Sequence, residues 1–201
     1  MSTKDLIIER ALELFSIRGY GAVSIRDIAG TVGIRESSIY YHFKSKRDIF
    51  DTIVETCFSR AREYFQKHEL PFEIGDDISI FDEQNLDVLT ERLLTVFRYF
   101  FEDAWNVRFR QLLTVSQFAD ARAREVYRSL YREYPIEYQC RIFQRLMDQG
   151  TFRQENPRIV AVAFYSAVFM LLHTCDDFEA AEPALRAHIR QFVQSYQINE
   201  R

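Results

Sequence analysis

The sequence predicts an all-α protein of about nine helices. A small three-helix N-terminal domain is joined by one long helix to a larger helical domain. Glycine (6) and proline (4) are scarce among 201 residues, so few turns interrupt the chain. Apolar residues recur at helical spacing along most of it, and no segment alternates convincingly as a strand. Hydrophobic residues at 47%, with 18 Phe and 11 Tyr, supply a core, and charged residues at 28% supply a polar surface. That aromatic content excludes a disordered chain.

Helix one is predicted from about Thr3 to Arg18, with Ile7, Ala11, Leu14 and Phe15 on one face. Ser2 or Thr3 caps it and Gly19 ends it. Ser24 N-caps a second helix with Asp27 in the capping-box position, and Ile25, Ile28, Ala29 and Val32 form its stripe before Gly33 interrupts. A third short helix runs from about Arg35 to Phe43. Ser45 then caps a fourth, from about Lys46 to His68, whose apolar period runs through Phe50, Ile53, Val54, Cys57, Phe58, Ala61 and Phe65. Its far end must contact something beyond the first three helices. The expected division is therefore 1–48 and 49–201.

Residues 69–85 are acidic, contain Pro71 and Gly75, and are expected to form an irregular loop. Helical patterning resumes at Leu86, with a break expected near Trp105 and Asn106. A longer helix is expected from about Ala121 to Gln149, kinked at Pro135 and ended by Gly150. Asn156-Pro157 is a strong helix start. The following helix, 158–175, is apolar nearly all round and so belongs in a core. Pro183 is expected to open the last helix, striped by Leu185, Ile189, Phe192, Val193 and Tyr196.

Net charge is −4, yet residues 1–50 carry eight Lys/Arg against six Asp/Glu. The positive charges of this segment cluster around one motif. Three widely spaced cysteines, Cys57, Cys140 and Cys175, make no disulfide framework and no metal spacing. With no signal-peptide pattern and a longest apolar run of only 14 residues, Ile159 to Leu172, the expectation is a cytoplasmic protein without a membrane span. No phosphate loop, nucleophile elbow or metal-binding His pair is present. Neither an enzyme nor a cofactor is expected.

The informative segment is Ser24 to Lys46. Two short helices with Gly33 between them meet the needs of a helix-turn-helix, in which glycine permits the tight positive-φ turn. Ile28, Ala29, Ile34 and Ile39 pack the pair, and the start of the second helix projects toward a major groove. Arg35, Glu36, Ser37 and Ser38 stand there, an arginine able to pair with guanine and serines able to donate or accept. Glu36 either accepts from cytosine or orients Arg35. Tyr40, Tyr41, His42, Lys44 and Lys46 offer donors suited to phosphate oxygens. Ser24 and Arg26, at the start of the preceding helix, complete the candidate set.

These residues carry a resemblance. Ser24-Ile25-Arg26-Asp27-Ile28-Ala29, then Gly33-Ile34, then Ser38-Ile39-Tyr40-Tyr41-His42-Phe43-Lys44-Ser45-Lys46 closely resemble the DNA-binding domain of TetR-family regulators. The preceding Ala11, Leu14, Phe15, Gly19 and Tyr20 match as well. The resemblance covers about the first 50 residues. It implies a homodimer, a palindromic double-stranded DNA operator and control by a small molecule bound in the C-terminal domain. It also implies DNA contact by Tyr40, Tyr41, His42 and Lys46.

Beyond residue 50 the expectations rest on helical pattern alone. The aromatic excess points to an apolar cavity for an apolar or aromatic effector, with Phe97, Phe101, Trp105, Phe109, Phe118, Phe164 and His173 as candidate lining. The broad apolar faces of the last two helices point to a two-fold interface through 158–175 and 184–197. The function expected is a ligand-controlled transcriptional regulator, a repressor. A helical adaptor that has lost DNA binding is the alternative, although it would not need the basic recognition segment.

Overall fold

The computed structural model describes residues 2–198. The outermost ends of the expected domains, residue 1 and residues 199–201, lie outside them. Ten α-helices are present among the described residues: α1 Thr3–Arg18, α2 Ile25–Val32, α3 Glu36–His42, α4 Lys46–Lys67, α5 Leu86–Glu102, α6 Ala104–Ser116, α7 Ala121–Arg128, α8 Tyr134–Asp148, α9 Pro157–Thr174 and α10 Phe178–Tyr196. A π turn over Ser129–Glu133 joins α7 to α8, giving nine helical rods. No strand occurs among the described residues, and a single antiparallel bridge pairs Phe152 with Gln197.

The rods group into two compact units. The first comprises 1–62 and 104–128, the second 63–103 and 129–201. The division falls inside α4, and the first unit takes in α6 and α7 as well as the segment 1–48 expected from sequence. Sequence periodicity finds faces but not their partners, so it could not assign α6 and α7 to this unit.

In the first unit, α1 begins with a reciprocal capping box between Ser2 and Asp5 and ends at Gly19, whose φ is 79°. Its face of Ile7, Ala11, Leu12 and Phe15 is fully buried, as are Ile28, Ile39, Ile49, Phe50 and Ile53. From α6, Phe109, Leu112 and Leu113 are buried completely. Each such large side chain removed from water contributes about 1.5–3 kcal/mol. In the second unit, one core gathers Phe97 and Phe101 of α5, Phe143 and Met147 of α8, Phe164 and Val168 of α9, and Leu185 and Ile189 of α10.

Four local readings are revised. The acidic loop 69–85 contains a 3₁₀ turn, Ser79–Asp82. The break near Trp105 falls earlier, at Asp103, and Asn106 is buried within α6. The last helix opens at Phe178, because Asp177 accepts the Ala180 amide as N-cap, and Pro183 lies inside it. Pro135, lacking an N–H, cannot donate to the carbonyl four residues back. That carbonyl, on Tyr131, instead accepts the Tyr165 hydroxyl of α9 at 3.1 Å. The π turn beside it widens the backbone at the same place.

Helix α9 is 18 residues long with a mean hydropathy of 1.4, which by length and composition alone meets the test for a membrane span. Val160, Phe164, Val168 and Leu171 on one side of it belong to the core of the second unit.

Candidate nucleic-acid interface

The helix-turn-helix is held by local chemistry. The Ser24 hydroxyl accepts the Asp27 amide at 3.1 Å and donates to its carboxylate at 2.5 Å, while the Ser24 amide donates to the same carboxylate at 2.7 Å. These hydrogen bonds, the hydroxyl first and the amide second, hold the Asp27 carboxyl below the ordinary carboxylate range. Asp27 thus places a carboxylate at the start of α2. At the other end Gly33 adopts the left-handed conformation, φ 79° and ψ 28°. Its amide donates to the Ala29 carbonyl at 2.9 Å and that of Ile34 to the same oxygen at 3.0 Å. A side chain at residue 33 would strain this backbone, which is why glycine stands there.

Helix α3 is anchored from one side. Ile39 and Phe43 are buried, four residues apart, and Ala29 of α2 is buried at the close approach. The other side is open. Arg35, Glu36, Ser37, Tyr40, Tyr41 and Lys44 are exposed, with Ser38 and His42 half-buried. Tyr41 is 85% exposed, and its ring meets His42 edge-on at 5.2 Å. Arg26 and Ser24 are exposed on α2. An exposed tyrosine pair backed by a fully buried isoleucine is unusual for a soluble surface, and suits a face that another molecule covers.

Lys46 differs from the rest. Its ammonium donates to the carbonyls of Tyr20 and Val23, both at 2.8 Å, and lies 4.3 Å from the Tyr20 ring centroid. Burial first, and Arg47 second, lower its pKa. In this structure Lys46 fastens the connection between α1 and α2, where sequence reasoning expected a phosphate contact.

Sequence reasoning missed a group beside it. Arg47 donates to the Asp120 carboxylate at 2.7 and 3.2 Å and stacks on the rings of Tyr20 and Phe50 at 4.5 and 5.2 Å. The Tyr20 amide donates to the Ser116 hydroxyl at 2.9 Å. Burial alone would raise the Asp120 carboxyl, but hydrogen bonds from Arg47 and the Ala123 amide outweigh it, and its pKa is lowered. Partners 73 residues apart leave no periodic signal in a sequence.

The seven candidate effector residues divide between the units. Phe97, Phe101 and Phe164 are buried in the core of the second. His173 is half-buried in the same unit, its Nδ1 donating to the Phe169 carbonyl at 2.8 Å. Trp105 and Phe109 belong to the first unit, Phe109 fully buried and Trp105 with its buried indole N–H unpartnered. Phe118 departs from the expectation. It is 82% exposed, because it sits on the turn after α6 whose carbonyls at 117 and 118 are held by Arg124. A groove of about 830 Å³ in the second unit is lined by charged side chains including Asp76, Asp77, Glu137, Arg141, Arg145 and Asp148, and by none of these seven. No group of three metal-capable side chains gathers among the described residues.

Known proteins match the N-terminal helices in sequence and the whole chain in fold. Residues 7–53 match the model of the bacterial regulatory proteins of the tetR family. Over 55 residues the chain is 47% identical to IcaR of Staphylococcus aureus strain Newman, a negative transcriptional regulator of the biofilm operon icaADBC. That match covers 27% of this chain and 30% of IcaR. Over the full length the fold is shared with solved structures. The TetR family transcriptional regulator PfmR from Thermus thermophilus superposes with a TM-score of 0.68 at 21% identity, covering 100% of both chains. SmeT in its triclosan complex superposes with a TM-score of 0.64 at 19% identity, covering 99% of this chain and 93% of that one.

Proposed function

We propose that this chain, whose N-terminal domain is of the TetR family, is a transcriptional regulator that binds a palindromic operator as a homodimer and is controlled by a small effector. The observation that carries the reading is the exposed polar face of α3 and its flanks, Arg35 to Lys44, held out by buried Ile39 and Phe43. Arg35, Glu36, Ser37 and Ser38 are assigned to base edges. Tyr40, Tyr41, His42 and Lys44, with Ser24 and Arg26, are assigned to the backbone. Lys46 contributes by holding the head together. The negative regulation named for IcaR supports a repressor. The work belongs in the cytoplasm, where the operator is, and needs neither catalytic group nor cofactor.

Dimerisation is assigned to α9 and α10. On α9, Ile159 (67% exposed), Val162 and Met170 (55%) recur on one face, with Ala163 and Ser166 between them. On α10 the exposed face is of small and neutral residues, Ala180, Ala184, Ala187 and Gln191. Small residues let helices approach closely, and an apolar stripe of this kind is stable in water only when covered. A two-fold here presents two recognition helices to successive major grooves.

The effector is assigned to the aromatic interior of the second unit, at Phe97, Phe101, Phe164 and His173. The SmeT–triclosan complex supports an apolar aromatic class. An effector acts only if it binds the DNA-competent and DNA-free states with different affinity.

The test is selection of bound duplexes from a random library at near-physiological salt, followed by sequencing. Enrichment of an inverted repeat is the expected result. Capture of duplexes with no shared sequence, or none at all, would contradict the reading and favour the helical adaptor.

A further inference from the structure

We infer that the corner between α6 and α7 is a working part of the DNA-reading head, and that Asp120 is its positioning residue. The inference rests on the DNA-binding reading above and adds a site that the matched segment 7–53 does not contain.

Asp120 serves two elements at once. Its Oδ1 accepts the Ala123 amide at 2.8 Å and so fixes the first turn of α7. Its two carboxylate oxygens take both terminal nitrogens of Arg47, with the Asp120 side chain only 17% exposed. A bidentate, partly dehydrated pair of this kind fixes orientation as well as distance. Arg47 is thereby pressed flat on Tyr20 and Phe50. Tyr20 is held again through its backbone: Ser116 of α6 accepts its amide, and Lys46 donates to its carbonyl and to that of Val23. Val23 immediately precedes Ser24, the N-cap of α2. A continuous set of polar contacts therefore runs from the start of α7 to the start of the helix-turn-helix.

The set is built for position more than for stability. Arg47 and Lys46, two cations beside one tyrosine ring, repel one another, and Asp120 is the anion hydrogen-bonded to Arg47. Without its charge, Arg47 keeps its stacking but loses its fixed direction, and the connection from Tyr20 to Ser24 is held from one side only. Asp120 touches no DNA in this scheme. It acts through Arg47 and Tyr20 on the aim of α2 and α3.

The experiment uses the full chain and the wild-type-selected duplex. Asp120→Asn keeps shape and an acceptor for Ala123 but removes the charge. It should bind DNA about 10-fold more weakly, within the range of coupling between separate sites. Its dependence of log K on log salt should equal that of the wild type, because no phosphate contact is removed. Combining Asp120→Asn with Arg47→Gln should cost no more than the worse single change, the mark of residues acting as a unit. Amides from Tyr20 to Asp27 should exchange faster with deuterium in Asp120→Asn, and also in Ser116→Ala, which removes a neutral member of the set. Unchanged affinity together with unchanged exchange would overturn the inference, as would a reduced salt slope, which would make Asp120 or its neighbours part of the DNA contact itself. If the wild type binds no duplex, the DNA reading fails separately. The exchange measurement then decides alone whether Asp120 positions this segment.

Discussion

At the scale of single residues, the reading face divides into side chains that would hold DNA and side chains that would read it. Lys44→Ala should weaken binding to all duplexes alike and lower the salt slope by about 1, the loss of one phosphate contact. Arg35→Ala should lower discrimination at one position of each half-site by about 1–3 kcal/mol. Titrations on selected and scrambled duplexes at several salt concentrations separate the two effects. Acid should act on the first unit through Asp5, Asp27 and Asp120, whose carboxyls are all held below the ordinary range when folded. Their contribution to stability is fully present above the unfolded value of about 3.9 and disappears as pH falls through their lower folded values. Urea denaturation between pH 5 and pH 2 should show that loss, and Asp120→Asn should flatten it. An equal acid dependence in the variant would remove Asp120 from the account.

At the scale of elements, the helix-turn-helix was legible because its determinants are local. The Ser24–Asp27 box, the left-handed Gly33 and the four-residue spacing of Ile39 and Phe43 all lie within a few residues of one another. Ile39→Ala at this fully buried site should cost about 2–5 kcal/mol, read from denaturant midpoints. The rod from Ala121 to Asp148 was legible as a helix with a proline problem, but not in its solution. The hydroxyl that satisfies the Tyr131 carbonyl comes from Tyr165, 34 residues away. Tyr165→Phe removes this hydrogen bond and should destabilise the protein by about 0.5–1.5 kcal/mol, with little change in helix content. The start of α10 escaped notice because Pro183 is a strong local signal for a helix start, whereas the Asp177 cap that wins is an ordinary one. The partners of Lys46 and the role of Asp120 escaped it because they are set by packing between distant segments.

At the scale of the whole molecule, the helical character and the long α4 were readable from periodicity, while the grouping of α6 and α7 with the N-terminal helices was not. The aromatic excess marked interiors, but periodicity does not tell core from cavity, and Phe118 lay on the surface. If α9 and α10 form the two-fold, Met170→Glu should yield a monomer in sedimentation. It should also lose operator affinity on the order of 100-fold or more, since two linked half-sites bind with that advantage over one. A dimer with unchanged affinity would move the interface elsewhere. The central claim is that the face from Arg35 to Lys44 reads DNA sequence, and the most direct test is the duplex selection run side by side on the wild type and Arg35→Ala. The account predicts an inverted repeat for both, with sequence preference lost in the variant at one symmetry-related pair of positions. An unaltered motif, or no motif in the wild type, would contradict it.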